Sequence, residues 1–197
     1  MEEFNSVNFR TSPFMDDEAK DMRFVNCTFN GVDLTDLGTD SCIFENCSFK
    51  FAYMNGSYHN KSQFLNCNFE GTNLFASAFK NCKMTGSSLS GAELSAVSFD
   101  GGNYAFVSFA GCDLNKQVLT NMNFMNADFT DAKLVSADLR GSNLTKAIMR
   151  GCDLTKAKLG EAEISGATFA GAVFNKTQID INFVSSKREN QKSLPNF

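Results

Sequence analysis

The sequence contains no tryptophan, three tyrosines, two prolines and a single histidine, His59. A cysteine nucleophile needs a histidine base within hydrogen-bond reach, and the chain has only one histidine that could serve as that base. No run of about 18 apolar residues could span a membrane, and the acidic start MEEFNSVNFR lacks the apolar segment of a secretory signal. We therefore expect a cytoplasmic protein that has no catalytic residues and no membrane partner.

Paired cysteine motifs are also missing, although the chain has seven cysteines. An odd number without a CxxC pair argues against a complete disulfide framework and against a zinc site. The acidic segment 16–21 lacks the alternating ligands and the central glycine of a calcium loop. We expect no metal and no cofactor, and we interpret Cys27, Cys47 and Cys67, which lie twenty residues apart, as buried packing residues.

Large apolar residues recur at every fifth position from Phe4 to Val184. Of the 37 positions in this series, 34 hold Phe, Leu, Met, Ile, Val or Tyr, and only Ala19, Thr39 and His59 do not. An α-helix has a period of 3.6 residues and a strand has a period of 2. A period of five therefore indicates a repeat architecture, and the repeat also explains the bias toward 21 phenylalanines.

Two further positions of the five-residue unit are selective. The position two residues before each large residue mostly holds a small side chain, and all seven cysteines fall there. The position two residues after each large residue holds 11 of the 14 glycines, where the chain must turn tightly. The unit therefore reads small, polar, large apolar, polar, turn, as in residues 127–131 and 137–141.

This unit resembles the A(D/N)LXX signature of the pentapeptide-repeat family, and the resemblance extends over about residues 2–184. It implies an all-β fold, a right-handed quadrilateral parallel β-helix in which four units form one coil of 20 residues. It implies about nine coils over residues 1–184 and a short polar C-terminal tail over residues 185–197. In such a coil the large and small positions point inward, and each coil buries its apolar residues against its neighbours.

The three exceptions to the apolar rule fall in one column, because Ala19, Thr39 and His59 lie twenty residues apart. Their surroundings are polar, so we expect loops on one face of the first three coils, and loops on a rigid scaffold often carry function. Alternatively, the N-terminal coils cap the rod with looser polar sequence. The residues of this candidate interaction surface are Asp16, Asp17, Glu18, Asp21, Asp36, Asp40, Tyr58, His59 and Lys61.

Three phenylalanines, Phe51, Phe75 and Phe106, occupy positions that the repeat leaves to solvent. Exposed aromatic residues can anchor a protein interface. They can also be scattered surface residues or a self-association patch. Gly101 and Gly102 lack the context of a phosphate-binding loop, and they predict a local distortion of the coil.

Charge is distributed unevenly along the chain. Residues 1–115 carry 7 Lys or Arg and 14 Asp or Glu, net −7, whereas residues 116–197 carry 11 and 8, net +3. The overall formal charge of −4 is not that of a basic protein that binds nucleic acid. We therefore expect an electrically polar molecule with a protein partner and no direct binding of nucleic acid.

Segments 24–34 and 64–71 are similar to the Cys- and Phe-rich units of the Qnr and MfpA group of pentapeptide-repeat proteins. That similarity implies binding of DNA gyrase or topoisomerase IV by DNA mimicry, with an effect on quinolone resistance. The polar tail lacks the apolar helix through which that group dimerises, so a monomer and a homodimer formed by end stacking both stay open. The alternative function is a structural or adaptor module with an unrelated protein partner.

Overall fold

The computed structural model describes residues 1–11 and 17–179. These residues form an all-β parallel solenoid, in which each stretch of chain pairs with the stretch twenty residues later. None of the described residues lies in a helix, so none of them provides a helix that could cross a membrane. Phe14, Asp16 and the predicted tail 185–197 lie outside the described residues. The predicted all-β parallel architecture is confirmed.

Short strands of the N-terminal half build two parallel sheets. One sheet contains, in spatial order, β1 (Glu2–Asn5), β3 (Met22–Val25), β5 (Ile43–Glu45) and β7 (Gln63–Leu65). The other contains β2 (Glu18–Lys20), β4 (Gly38–Asp40), β6 (Tyr58–Asn60), β8 (Ala78–Lys80) and β9 (Ser98–Asp100). Single parallel bridges continue the same register along the chain as far as the pair Lys158 and Gln178.

Four faces repeat along the solenoid, and we number them by their inward residue. Face 1 carries Phe24, face 2 Phe29, face 3 Leu34 and face 4 Thr39, and each face continues at steps of twenty residues. The corner between two faces lies two residues after each inward position, where the backbone has a positive φ. Glycine, asparagine and aspartate adopt this left-handed conformation at the lowest cost, which explains the recurrent corner glycine.

The large residues of the repeat fill the interior as stacked columns. On faces 1 and 2 the rings of neighbouring coils are nearly parallel, with centroids 4.7 Å apart for Phe24 and Phe44 and 4.8 Å apart for Phe29 and Phe49. Rings of adjacent faces meet edge to face, as Phe24 and Phe29 do at 5.7 Å. Each such pair adds about 0.5–1.5 kcal/mol beyond the burial of its area. The predicted inward packing of the large residues against neighbouring coils is therefore confirmed.

The small residues also point inward, and many of them hydrogen-bond to the preceding coil. The Cys67 thiol donates to the carbonyl oxygen of Phe44 at 3.4 Å, and the Ser87 hydroxyl donates to the carbonyl oxygen of Phe64 at 2.8 Å. Cysteine and serine can replace each other at these positions because each is small and donates one bond. The cysteines are therefore packing residues, as predicted.

Among the described residues, the parallel pairing is interrupted at one junction. Faces 1 and 2 stay paired across it, but on faces 3 and 4 no bridge and no backbone hydrogen bond joins residues 91–101 to residues 110–120. Gly102 lies at this junction with a φ of 106°, close to the main chain of Cys82. The distortion predicted at Gly101 and Gly102 is confirmed. It separates two successive coils on faces 3 and 4 without inserting a loop.

Candidate interaction surface

Face 4 of the N-terminal coils is built from regular strands. β2, β4 and β6 pair in register, so that Ala19, Thr39 and His59 are aligned as Cα partners. The prediction of loops on this face of the first three coils is wrong for residues 36–41 and 56–61, because each of these segments contributes a strand to the sheet. The three exceptions to the apolar rule thus keep the inward position that the repeat assigns to them.

The polar side chains of this column are buried because they hydrogen-bond to one another. Nδ1 of His59 lies 2.8 Å from Thr39 Oγ1, and Nε2 lies 3.0 Å from Ser57 Oγ. Thr39 Oγ1 also lies 2.9 Å from Ser62 Oγ, and Ser57 Oγ lies 3.2 Å from Ser77 Oγ. Burial lowers the pKa of His59 to about 3, so its ring is neutral. The prediction of His59 as a surface residue is wrong, since its side chain is fully buried.

A serine hydroxyl beside a histidine ring is also the arrangement of a nucleophile and its base. Ser57, His59 and Thr39 are all buried in the column, so a substrate has no access to them. The His59 ring contacts Phe79 in the same column, with centroids 4.8 Å apart and ring planes tilted by 31°. His59, held by this network, therefore occupies the inward core position that a phenylalanine holds in later coils of the same column.

The outer side of the same sheet carries the other predicted residues. A groove of about 310 Å³ crosses β2, β4 and β6, and Gly38, which lines it, contributes no side chain. The side chains around this groove are Glu18, Lys20, Asp40, Tyr58 and Asn60. Asp17, Asp21, Asp36 and Lys61 are exposed nearby. We call residues 17–21, 36–41 and 56–61 the face 4 surface.

The face 4 surface is acidic overall but mixed in sign. It carries five carboxylates and two lysines, a net charge of −3. Asp40 is held along its strand, because its Oδ1 accepts hydrogen bonds from Asn60 Nδ2 and from Ser41 Oγ, each at 3.1 Å. Exposed carboxylates around a shallow groove favour a cationic partner and repel phosphate groups.

The three outward phenylalanines are exposed as predicted, but only two of them border the same face. Phe51 and Phe75, which are 63% and 51% exposed, both border face 3. Tyr53, which is 54% exposed, lies between them, because it pairs with Asn73, two residues before Phe75. Phe106 lies in a later coil, at the corner between faces 1 and 2. We call Phe51, Tyr53 and Phe75 the aromatic patch.

Tyr53 was not predicted as a surface residue of interest. Its signal in the sequence is weak, because it occupies an outward position of the unit where a tyrosine is unremarkable by itself. Only the pairing of successive coils places Tyr53 beside Asn73 and close to Phe75. The grouping of these aromatic residues therefore depends on the twenty-residue register.

The cysteines are poor candidates for thiol chemistry. All seven are free and buried. Burial raises the pKa of Cys82 and of Cys152 to about 12 and that of Cys112 to about 11. In the part of the chain that the structure describes, no group of three or more His, Cys, Asp or Glu side chains could hold a metal ion.

Family profiles match the chain over more than half of its length. The profile described as a pentapeptide repeat region matches residues 72–147, and the profile described as pentapeptide repeats (8 copies) matches residues 147–180. No significant match is found among curated protein sequences. The matched residues include the C-terminal coils, where the alanine and leucine positions of the unit are most regular.

Similar solved structures cover nearly the whole chain. Two trypsin-treated variants of QnrB1, a plasmid-mediated fluoroquinolone resistance protein, match 98% of this chain and 98% of their own at 16% identity, with TM-scores of 0.80 and 0.62. HetL, a pentapeptide repeat protein involved in heterocyst differentiation regulation in the cyanobacterium Nostoc sp. strain PCC 7120, matches 89% of this chain and 84% of its own at 17% identity, with a TM-score of 0.48. At such low identity the likeness to QnrB1 concerns the fold.

Proposed function

Because the chain belongs to the pentapeptide-repeat family, we propose that it is a non-catalytic scaffold that binds another protein through its outer faces. We also propose that the solenoid is a right-handed, four-sided β-helix of about nine coils. The twenty-residue register supports the coil count, because it runs from the pair Glu2 and Met22 to the pair Lys158 and Gln178.

The most concrete partner is a type II DNA topoisomerase, either DNA gyrase or topoisomerase IV, in the cytoplasm. Binding would modulate fluoroquinolone susceptibility by DNA mimicry, without direct contact to nucleic acid or membrane. The observation that carries this proposal is the similarity to QnrB1, a plasmid-mediated fluoroquinolone resistance protein, over 98% of both chains with a TM-score of 0.80. The net charge of −7 over residues 1–115 supports mimicry of DNA by the N-terminal half.

The face 4 surface is the proposed contact for this partner. Its groove and its carboxylates lie on a rigid sheet, which costs little conformational entropy on binding. Asp16, which lies outside the described residues, belongs to the same predicted acidic segment. Phe51, Phe75 and Phe106 are the proposed apolar contacts, since all three are exposed.

A structural or adaptor module with an unrelated protein partner is the second candidate. The net charge of +3 over residues 116–197 favours it, because a surface that mimics duplex DNA is expected to be acidic along its length. In this case the C-terminal coils would serve a partner that has no affinity for DNA.

A supercoiling assay tests the topoisomerase proposal. We expect the purified protein, at micromolar concentrations, to inhibit DNA gyrase or to relieve its inhibition by ciprofloxacin. If it does neither with gyrase or with topoisomerase IV, the topoisomerase function is wrong and the adaptor function becomes the better explanation.

The contact surface is tested with charge variants in the same assay. We expect replacement of Asp17, Glu18 and Asp21 by serine to weaken the effect on gyrase. The matched control replaces three carboxylates of the C-terminal coils, Asp128, Asp153 and Glu163, by serine. An equal effect of both triple variants, or no effect of the first, would exclude the face 4 surface as the contact.

A further inference from the structure

The aromatic patch lies on a face that is otherwise acidic. Between residues 32 and 96, face 3 carries the carboxylates of Asp33, Asp36 and Glu93 and no lysine or arginine. Among the described residues, none of these three carboxylates forms an ion pair. Lys50, on the neighbouring face 2, is engaged by Glu70 at 2.6 Å. Face 3 therefore presents negative charge without a compensating cation.

Two of the carboxylates flank the aromatic patch along the solenoid. Asp33, Tyr53, Asn73 and Glu93 are successive partners in one column of parallel bridges. Neighbouring strands are about 4.8 Å apart, so Asp33 and Glu93 are separated by about 14 Å. The Tyr53 ring lies between them, and Phe75 is a diagonal neighbour at about 7–8 Å, within reach of one bound side chain.

Both flanking carboxylates are held in place and ionised. The Thr35 N–H donates to Asp33 Oδ1 at 3.1 Å, and the Ser95 N–H donates to Glu93 Oε1 at 2.7 Å. Hydrogen bonds from the hydroxyl and the N–H of Thr35 lower the pKa of Asp33, and those of Ser95 lower the pKa of Glu93 in the same way. Each carboxylate keeps acceptor capacity for a second donor.

The exposure of these rings is not required by the repeat. Phe51 has a φ of 57°, a left-handed conformation that is rare for a bulky residue. Its ring lies against Gly71 of the next coil, where a side chain would overlap it. Polar residues occupy the outward positions equivalent to Tyr53 and Phe75 in neighbouring coils, namely Asp33, Asn73, Asn55 and Ser95.

We propose that the aromatic patch, together with Asp33 and Glu93, is a docking site for an extended, arginine-bearing segment of a partner protein. A guanidinium group can stack on an aromatic ring and donate two hydrogen bonds to a carboxylate. An extended chain advances about 3.3 Å per residue, so the spacing of about 14 Å matches two arginines about four residues apart. An apolar side chain between them packs on Tyr53 and Phe75.

Charge complementarity selects this occupant. Phosphate groups of nucleic acids or lipids would meet the carboxylates of Asp33 and Glu93, which repel them. A neutral apolar segment would cover the rings but offer neither carboxylate a second donor. The proposal rests on the scaffold role proposed above, and it does not depend on the partner being a topoisomerase.

Peptide binding to the full chain tests the docking site. The probe is a short fluorescent peptide in which two arginines, four residues apart, flank a leucine, and its control has citrulline, the neutral analogue, in place of both arginines. We expect the arginine peptide to bind and the citrulline peptide to bind at least about tenfold more weakly. Phe75→Ser and Tyr53→Ser should each weaken the arginine peptide about tenfold or more, as expected for a hot-spot residue.

Val118→Ser is the matched control, because Val118 is 62% exposed and lies in another part of the surface, so its replacement should leave binding unchanged. Circular dichroism checks that all variants keep the wild-type strand content. The proposal is overturned if the arginine peptide does not bind, if both peptides bind equally, or if Phe75→Ser and Tyr53→Ser have no effect.

Sedimentation of the chain alone identifies another possible occupant. If the wild type is a dimer that Phe75→Ser converts to a monomer, the patch is covered by a second copy and the proposal is wrong. If the arginine peptide binds to a protein that has no effect on gyrase or topoisomerase IV, the docking site stands and the topoisomerase function fails. The two proposals can therefore be separated.

Discussion

At the scale of the residue, the interior tolerates polar side chains when they have partners. His59 is hydrogen-bonded on both ring nitrogens by Thr39 and Ser57. The hydroxyl of Tyr104 is the contrasting case, because it is buried and has no hydrogen-bond partner among the described residues. A buried polar group without a partner costs about 1–3 kcal/mol. The two residues should therefore respond in opposite ways to substitution.

Stability should fall in acid because of His59. The ring has an ordinary pKa of 6.5 when unfolded and a pKa of about 3 in the folded chain, so the unfolded state binds a proton first as the pH falls. The stability contribution is complete above pH 6.5 and decreases by about 1.4 kcal/mol per pH unit toward pH 3. Between pH 7 and pH 5, the wild type should lose about 2 kcal/mol more than His59→Gln in urea unfolding.

The His59→Gln variant keeps a polar side chain that can hydrogen-bond but does not titrate in this range. Asp33 and Glu93, whose pKa values are lowered, titrate in both proteins and cancel in the comparison. Equal acid sensitivity of the two proteins would show that His59 does not control this behaviour.

Replacement of Tyr104 by phenylalanine should stabilise the protein. Phe124, the next residue of the same face 1 column, shows that the position accepts a phenylalanine ring. The substitution removes a buried hydroxyl without a partner, so we expect a gain of about 1 kcal/mol in the free energy of unfolding. Thermal and urea unfolding measure it. A loss of stability would mean that the hydroxyl has a partner, such as an ordered water.

At the scale of the element, the parallel ladder is interrupted on faces 3 and 4, between residues 91–101 and residues 110–120. Leu74 and Ala76 donate their backbone N–H groups to the carbonyl oxygens of Glu93 and Ser95, in the next coil. The equivalent N–H groups one coil later, those of Leu94 and Ala96, have no backbone carbonyl acceptor in the next coil among the described residues. The interior nevertheless stays closed at this point, since the large inward residues on both sides are buried. The junction is therefore looser in its backbone than in its core.

Amide hydrogen exchange should detect this junction. We expect the amides of Leu94 and Ala96 to exchange at least about tenfold faster than those of Leu74 and Ala76, because backbone groups without a partner are protected less. The two pairs occupy the same positions of face 3, one coil apart, so each pair controls for the other. Equal protection factors in NMR exchange experiments would contradict an interrupted ladder.

Gly102 should be more sensitive to substitution than another glycine with positive φ. At Gly102, a Cβ would overlap the carbonyl group of Cys82, and the φ of 106° is unfavourable for any other residue. We expect Gly102→Ala to destabilise the protein by about 2–3 kcal/mol in urea unfolding. Gly111→Ala is the control, because a Cβ there meets open space and only the positive φ opposes it, at a cost of about 1 kcal/mol. Similar costs at both positions would contradict the close contact.

At the scale of the whole molecule, the fold depends on two registers that must agree. The period of five decides which side chains point inward, and the period of twenty decides which coils meet. Since each coil contacts only its neighbours, stability is approximately a sum of contributions from adjacent pairs. A change of length should therefore be tolerated only if it preserves both registers.

Removal of one whole coil of twenty residues should leave a folded protein. A chain that lacks residues 122–141 joins residue 121 to residue 142 in phase, so we expect a shortened solenoid that unfolds cooperatively in urea. The control lacks residues 122–143, two residues more, which places the large side chains of all following coils in the positions of the small ones. We expect the control to lose the strand signal of these coils in circular dichroism or to aggregate. Equal behaviour of the two deletions would contradict the phase argument.

The sequence predicted the exposure of some surface residues correctly and missed the burial of others. The repeat predicted correctly that Phe51 and Phe75 are exposed, because each stands at an outward position. It did not predict the burial of His59, because polarity suggested a loop and the hydroxyl groups that satisfy the ring come from other coils. The same limit applies to Tyr53, whose neighbours on face 3 are twenty residues away in the chain.

The sequence by itself determined the class of fold and the inward or outward direction of nearly every side chain. It could do so because a strict period of five is a local property that any stretch of the chain reveals. Only the tertiary structure decided which side chains share a hydrogen bond, where the ladder separates and which exposed rings lie beside which carboxylates. Those features depend on contacts between successive coils, and the pattern within one repeat carries no information about how residues of different coils fit together.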